Sequence, residues 1–172
     1  MFGPFNALAA ALWLYLPALV ANAVPVFVGK SAWLAPYRRP LWEAGLGANK
    51  SSLGFLVAIL AGIVTGWLQL ALTPWELQTG YAFWLGWSAL ISLGAMAGDC
   101  VKSSCKRRIG IAPGGAWPVV DGIDYVVGAL LLGLPLFVPA WQIGVALLVA
   151  GPILSLAANS ISYALGWKKV WY

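Results

Sequence analysis

The sequence predicts an all-α integral membrane protein that forms a single transmembrane domain over residues 1–172. The first observation is composition: the chain is 62% hydrophobic and only 9% charged, whereas soluble domains carry about 25% charged residues. The second is that several uncharged stretches reach the roughly 20 apolar residues that one helix needs to cross a membrane. These stretches are residues 1–29, 51–75, 77–98 and 125–167.

The last of these stretches is long enough for two crossings. It is interrupted by Pro135 and by Pro139, and Trp141 follows shortly after. Proline removes a helix hydrogen bond and Trp favours the membrane interface, so this segment predicts a tight turn between two helices. We therefore expect about five transmembrane helices in total.

The basic residues predict how these helices are oriented. All 10 Lys and Arg residues fall within residues 30–50, 102–108 and 168–169. Because basic segments stay on the cytoplasmic side, we expect two cytoplasmic loops, a cytoplasmic C-terminus and an N-terminus outside the cell membrane. Residues 21–23 resemble a signal-peptidase site, but no basic residue precedes that apolar run, so the first helix is expected to be retained.

Charge and cysteine usage narrow the classes of partner. The net charge of +5 does not predict nucleic-acid binding, because the basic residues lie at membrane boundaries, where anionic lipid headgroups attract them. Cys100 and Cys105 are both on the predicted cytoplasmic side, and their spacing fits neither a CxxC motif nor a zinc site. We expect these two thiols to be reduced and structural.

Two further segments have a structural interpretation. The first basic loop contains Trp33, Tyr37 and Trp42, which favour the headgroup layer, so this loop is expected to lie along the membrane surface. The second predicted helix carries small residues at every fourth position, which predicts close packing against another helix, with a homodimer contact as one version of that packing. These small residues are Gly54, Ala58, Gly62 and Gly66.

Three of the 5 acidic residues bracket the second cytoplasmic loop. Asp121 and Asp124 could cap the fourth predicted helix as in a capping box, and Asp99 could form an ion pair with Lys102 or Lys106. The functional alternative is that Asp99, Asp121 and Asp124 together hold Mg²⁺, which prefers carboxylates, water and substrate phosphates. Acids at the edge of the hydrocarbon are costly unless they are paired or bound to a cation, and this favours a functional role.

The chain contains no histidine, which removes the commonest general base and the Ser/His triads. This favours a reaction whose nucleophile is already ionised, such as nucleotidyl transfer from a Mg²⁺-bound nucleotide to a phosphate monoester. Cations for such a reaction lie at Lys50 and in the run that begins at Lys106 and Arg107, although this run could instead be only a topology anchor. Further candidates for phosphate binding are Asn49, Ser51, Ser103, Gly114 and Gly115.

Residues 98–128 resemble the motif of the CTP-transferase family, which makes CDP-activated lipids. That motif has a Gly–Asp pair, a Ser, a Lys–Arg pair, a glycine-containing loop and two Asp residues three apart that open a helix. Gly122 and Tyr125 replace an Arg and a Ser of the bacterial CDP-diacylglycerol synthases. With residues 21–25 and 49–54, the sequence is more similar to the archaeal branch, the CDP-archaeol synthases. The matching positions are Gly98, Asp99, Ser103, Lys106, Arg107, Gly110, Gly114, Asp121 and Asp124.

The resemblance implies that CTP reacts with an isoprenoid ether lipid phosphate, 2,3-bis-O-(geranylgeranyl)-sn-glycerol 1-phosphate, to give CDP-archaeol and pyrophosphate at the cytoplasmic face. It implies that Asp99, Asp121 and Asp124 hold Mg²⁺ on the triphosphate and that Lys50, Lys106 and Arg107 neutralise the leaving pyrophosphate. Asn22 is a lesser candidate. Alternatives are another lipid phosphate as substrate, a CDP-alcohol phosphotransferase, whose longer acidic pattern is incomplete here, and a transporter subunit, which would carry charges near the bilayer midplane.

Overall fold

The computed structural model describes residues 4–72, 80–117 and 119–167. All regular secondary structure in these residues is helical. The described part of the chain contains no β-strand, only an isolated bridge between Pro40 and Ser51. The predicted all-α class is confirmed. The helices are α1 (Pro4–Lys30), a 3-10 turn (Ala35–Tyr37), α2 (Glu43–Leu46), α3 (Ser52–Leu72), α4 (Tyr81–Arg108), α5 (Val120–Gly133) and α6 (Trp141–Ala164).

Among the described residues, four helices are long and apolar enough to cross a membrane: α1, α3, α4 and α6. The protein is therefore a multi-pass membrane protein. The predicted fourth crossing corresponds to α5, which has only 14 residues and is shorter than the roughly 20 that a crossing requires. Trp75, Leu77 and the basic tail residues Lys168 and Lys169 belong to the predictions but lie outside the described residues.

The predicted break between the last two helices is confirmed. Helix α5 ends at Gly133 and α6 begins at Trp141, so the segment with Pro135 and Pro139 forms the connection. The ring of Phe137 in this connection meets Trp87 edge-on, with ring centroids 5.7 Å apart. Since Trp87 lies near the start of α4, the chain leaving α5 has reached the end of the bundle opposite to Asp99.

Helices α1 and α4 form the centre of the bundle. α1 packs against α3, α4 and α6, while α4 also packs against α3 and α5. The largest fully buried side chain is Trp87, whose indole Nε1 donates a hydrogen bond of 2.9 Å to the carbonyl oxygen of Leu14. Tyr15 meets the same indole edge-on, so this pair locks α1 to α4 in the apolar half of the bundle.

The row of small residues on α3 packs within the chain. A Cβ at Gly66 would lie 2.5 Å from the Ser88 side chain, and one at Gly62 would collide with Ser92, so α4 covers this face. Ser88 and Ser92 are fully buried. The predicted close packing is confirmed as an intrachain contact, and a homodimer stays a prediction that this face does not support.

Helices α4 and α5 approach each other most closely through glycines. A Cβ at Gly98 would collide with the carbonyl oxygen of Asp124, and a Cβ at Gly128 would collide with that of Gly94. No side chain larger than hydrogen fits at these crossings, so the two backbones are in direct contact. This contact places Asp99, one residue after Gly98, beside the first turn of α5.

Candidate active site

The three carboxylates converge on a single ammonium group. Lys102 Nζ lies 2.9 Å from Asp99 Oδ1, 3.3 Å from Asp121 Oδ1 and 2.8 Å from Asp124 Oδ2. Helix α4 runs on past Asp99 to Arg108, so Asp99 and Lys102 are one turn apart and face α5. The predicted proximity of the three acids is confirmed, as is the ion pair between Asp99 and Lys102.

Two further lysines complete the cluster. Lys50, just before α3, forms an ion pair and hydrogen bond with Asp99. Lys106 Nζ lies 2.5 Å from Asp121 Oδ1 and donates a hydrogen bond of 2.7 Å to Asp121 Oδ2. The alternative pairing of Asp99 with Lys106 is therefore wrong, because the partner of Lys106 is on α5. Three acids and three lysines balance in charge, as partly buried ions at a membrane boundary require.

The predicted capping box at the start of α5 is wrong. The residue before the helix is Val119, whose side chain makes no capping hydrogen bond and whose φ of 69° lies in the left-handed region. Asp121 Oδ2 instead accepts a hydrogen bond of 2.6 Å from the backbone N–H of Trp117. Asp121 therefore ties the loop to the helix, and Asp124 is left to the ion cluster.

A cleft of about 1060 Å³ opens over this cluster. It lies between the C-terminal ends of α1, α4 and α6 and the N-terminal end of α3. Asp124 is not among its lining residues, because its side chain is only 4% exposed and lies beneath Lys102. All the other predicted site residues line the cleft: Asn22, Asn49, Lys50, Ser51, Asp99, Ser103, Lys106, Arg107, Gly114, Gly115 and Asp121.

Several of these residues have structural hydrogen bonds. Ser51 Oγ accepts a bond of 3.0 Å from the N–H of Gly54 and so caps α3, while Ser103 Oγ donates to the carbonyl oxygen of Asp99 at 2.8 Å. The N–H of Gly115 donates to Ala112, and its carbonyl oxygen accepts from Lys106. The N–H of Gly115 is therefore already paired, because the loop turns back on itself at Gly114, where φ is 82°. Phosphate binding by Gly114 and Gly115 stays a prediction.

Arg107 has the most unused hydrogen-bonding capacity in the cleft wall. Its Nη2 donates to the carbonyl oxygen of Ala112 at 3.0 Å, but its Nε and Nη1 are buried and have no partner. The same is true of Nε in Arg38, another lining residue. Buried guanidinium donors without acceptors are costly, and a phosphate is the ligand that matches their planar fork.

Sequence reasoning assigned no binding role to several of the lining residues. The sequence indicates Lys102 only as an ion-pair partner of Asp99, since its position three residues later puts both on one helix face. Nothing in the local sequence distinguishes the others, since they join the cleft only through packing of α6 and the first loop. They are Arg38, Ser155, Asn159 and Trp167.

The acid cluster fits a hard cation by the chemistry of its oxygens. Asp121 Oδ1 and both carboxylate oxygens of Asp124 are buried and accept no hydrogen bond of normal geometry. Such oxygens are the ligands that Mg²⁺ prefers. With Lys102 between the carboxylates, the described residues contain no group of three acidic, His or Cys side chains arranged around a metal position. Metal binding stays a prediction.

Comparison with known proteins identifies the family. Residues 5–172 match the family described as CarS-like, CDP-archaeol synthase. CDP-archaeol synthases of Methanospirillum hungatei and Thermococcus gammatolerans are 37% and 33% identical to the chain; the alignments cover 91% and 98% of the chain and 96% and 98% of the relatives.

A solved structure of an intramembrane enzyme for archaeal membrane lipids biosynthesis is also similar. It superposes with a TM-score of 0.74 at 32% sequence identity, and covers 88% of this chain and 94% of its own. The structural comparison and the sequence comparisons therefore both point to archaeal membrane lipid synthesis. Because the family match extends over nearly the whole sequence, the chain belongs to the CDP-archaeol synthase family and is a multi-pass membrane enzyme.

Proposed function

We propose that the enzyme transfers the cytidylyl group of CTP to 2,3-bis-O-(geranylgeranyl)-sn-glycerol 1-phosphate, giving CDP-archaeol and pyrophosphate. Family membership supports CDP-archaeol formation, and one structural observation carries the site: three carboxylates and three lysines meet under a cleft at one end of the helices. A transporter would place such charges along a path near the midplane, whereas here they gather at one end.

In the proposed reaction an anionic oxygen of the lipid phosphate attacks the α-phosphorus of CTP. The bond from that phosphorus to the bridging oxygen of the β-phosphate breaks, and pyrophosphate leaves with the bonding pair. The nucleophile is ionised near neutral pH, so no histidine base is required, and positioning and charge neutralisation provide most of the catalysis. We assign triphosphate binding to Arg107 and Lys106. Two buried donors of Arg107 without a partner, and the position of Lys106 beside the Gly114–Gly115 loop, support this assignment.

The proposed metal site consists of Asp99, Asp121 and Asp124. Mg²⁺ held there would neutralise charge on the triphosphate oxygens during transfer. The three residues come from two helices whose backbones touch, so their spacing is set by the α4–α5 contact rather than by flexible loops. A rigid spacing matters because Mg²⁺ accepts little deviation from octahedral geometry.

The lipid is proposed to enter from the side of the bundle. The cleft extends along α1, α4 and α6, where Asn22, Met96 and Ser155 line it. At its edge the rings of Phe27 and Trp167 meet edge-on, with centroids 5.3 Å apart, and join the end of α1 to the end of α6. Isoprenoid chains would lie between these helices, since an isoprenoid chain is as apolar as the side chains and lipid tails that it would contact there.

We also propose five crossings, with the N-terminus outside and the cleft on the cytoplasmic side. The four long helices would be joined by α5, which runs from the ion cluster at Asp124 to the level of Trp87. The first loop supports a membrane-surface position, because Trp33 is 90% and Tyr37 is 69% exposed.

Cys105 provides a test of this orientation. Cys100 and Cys105 are the 2 cysteines of the chain, and both are free, with Cys105 exposed and Cys100 half-buried in the cleft wall. A membrane-impermeant maleimide should label Cys105 in inside-out vesicles and not in right-side-out vesicles. The variant Cys105→Ala is the control, and labelling of Cys105 in sealed right-side-out vesicles would refute the orientation.

The proposed activity is tested with purified enzyme, Mg²⁺ and each α-³²P-labelled nucleoside triphosphate. The candidate acceptors are the geranylgeranyl ether phosphate, diacylglycerol phosphate and the corresponding alcohols. We expect label to pass from CTP to the ether lipid phosphate with release of pyrophosphate. Transfer to diacylglycerol phosphate at an equal rate would make the lipid assignment wrong. Transfer only to an alcohol would refute cytidylyl transfer to a phosphate as the reaction class.

Arg107→Gln should raise the KM for CTP by about tenfold or more, because removing a charged hydrogen-bonding partner of a phosphate costs about 1.5–3 kcal/mol. Arg108→Gln is the matched control, since Arg108 is the next residue but is exposed and does not line the main cleft. Steady-state kinetics at saturating lipid measure both variants. Equal KM values for the wild type and Arg107→Gln would refute the proposal that Arg107 binds CTP.

A further inference from the structure

Lys102 occupies the centre of the ion cluster. Its Nζ is within 3.3 Å of one oxygen from each of Asp99, Asp121 and Asp124, which belong to two different helices. No other lysine in the described part of the chain forms ion pairs with all three, since Lys50 pairs with Asp99 and Lys106 with Asp121. Lys102 therefore holds together carboxylates that would otherwise repel one another.

The position of this ammonium is the position that a shared metal ion would take. Mg²⁺ shared by the same three carboxylates would need the space between their oxygens that the Lys102 ammonium fills. The Lys102 ammonium lies at 2.8 to 3.3 Å from the same atoms, so the two cations cannot be bound there together. Binding of a metal thus requires Lys102 Nζ to leave.

The cleft provides space for a second position of the Lys102 side chain. Lys102 lines the cleft, and its side chain is 13% exposed, so the ammonium can turn outward without disturbing α4. Its four-carbon stem is flexible and its charge is a compact point charge. Displacement would also place a positive charge in the cleft at the moment when triphosphate and lipid phosphate bring negative charge.

We propose that Lys102 is a positioning residue: it holds the three carboxylates together in the free enzyme, and a divalent ion displaces its ammonium into the cleft. This inference rests on the metal site of the proposed function. The cluster is neutral before the substrates bind, because three lysines balance three aspartates. After the exchange, the metal replaces Lys102 as the cation that joins the carboxylates.

The test is the affinity of the full-length, detergent-solubilised protein for Mn²⁺ alone, measured from the EPR signal of free Mn²⁺. Lys102→Met removes the competing cation and should bind Mn²⁺ about tenfold or more tightly than the wild type. In the wild type, Mn²⁺ can bind only in the small fraction of molecules whose site Lys102 has left, and the apparent affinity is reduced in proportion to that fraction. The melting temperature without metal should fall, and added Mn²⁺ should raise it more than in the wild type.

Arg108→Gln, which removes one exposed charge from the same helix end, is the control and should bind Mn²⁺ with wild-type affinity. Equal or weaker binding by Lys102→Met refutes the exchange but leaves the metal site. Absence of Mn²⁺ binding by both proteins refutes the metal site itself. The nucleotide-transfer assay is independent of both results, so failure of the exchange and failure of the activity can be distinguished.

Chemical modification of the wild type keeps the inference testable if Lys102→Met does not fold. An amine-reactive acylating reagent should modify Lys102 slowly in metal-free protein, where three carboxylates surround its ammonium. Addition of Mn²⁺ should increase the modification of Lys102, quantified by peptide mass spectrometry relative to Lys30, the exposed last residue of α1. Modification of Lys102 that does not change with Mn²⁺ would refute the displacement.

Discussion

Asp124→Asn should reduce cytidylyl transfer by at least about 10²–10³-fold, the loss typical when one electrostatic contact to a transition state is removed. Asp124 lies beneath the cleft, and both of its carboxylate oxygens are buried without a hydrogen bond of normal geometry. Asn has nearly the same shape but half of its terminal group is a donor, so it provides one weaker ligand instead of a charged one. The loss should appear in kcat, because Asp124 does not line the cleft and cannot contact CTP directly.

The fold should survive this change, since Lys102 keeps Asp99 and Asp121 as partners. Glu43→Gln is the matched control: it also neutralises one carboxylate, but Glu43 is exposed in the short helix α2 of the first loop. Rates with saturating CTP and lipid, with circular dichroism of each variant, measure the effect. Activity of Asp124→Asn within a few fold of that of Glu43→Gln would refute a role for Asp124 in the reaction.

Gly98→Ala should reduce turnover by about 10²-fold or more, although it changes no charged residue. The new methyl group would collide with the carbonyl oxygen of Asp124 and lie 2.9 Å from its carbonyl carbon, and backbone atoms cannot move aside as a side chain can. The two helices must therefore separate locally, at the point where they hold Asp99 and Asp124 together. A misplacement of about 1 Å can cost 10²-fold in rate.

Two controls separate this effect from general destabilisation. Gly144→Ala in α6 adds the same methyl group where no atom lies within 4 Å, and its activity should equal that of the wild type. Gly133→Ala would bring a Cβ to 2.8 Å from the Trp87 ring, at the other end of the α4–α5 interface. Melting temperatures should fall for both Gly98→Ala and Gly133→Ala, but only the first should lose most of its activity. Equal activity losses in the two variants would contradict the positional argument.

Most of the fold could be predicted because hydrophobic length and proline position are local properties of the sequence. The break at residues 134–140 followed from Pro135 and Pro139, and the close packing of α3 followed from its glycines. The exact length of α5 did not follow, because its 14 residues end at Gly133 while the apolar composition continues beyond it. Apolar composition shows that a segment prefers lipid, but it does not show where its helix ends.

The candidate site was only partly predictable. The clustering of Asp99, Asp121 and Asp124 in the sequence correctly indicated that they lie together, since two of them open a helix that packs beside the third. Their partners were harder to assign. Spacing alone allows Asp99 to pair with Lys102 or with Lys106. The structure pairs Asp99 with Lys102, whereas Lys106 contacts Asp121 on α5, since an ammonium on a flexible stem pairs with the nearest acid in space.

The sequence by itself determined that this chain lies in a membrane, that its charges collect at helix ends, and that three acids and a basic run bracket one loop. These conclusions follow from composition and spacing, because the bilayer excludes charge regardless of which helices touch. The tertiary structure alone decided that Lys102 joins all three acids, that Asp124 lies below the cleft, and that Arg107 keeps two buried donors free. The first two features depend on the direct contact of α4 with α5, and the distance between two helices is a property of packing that no local pattern contains.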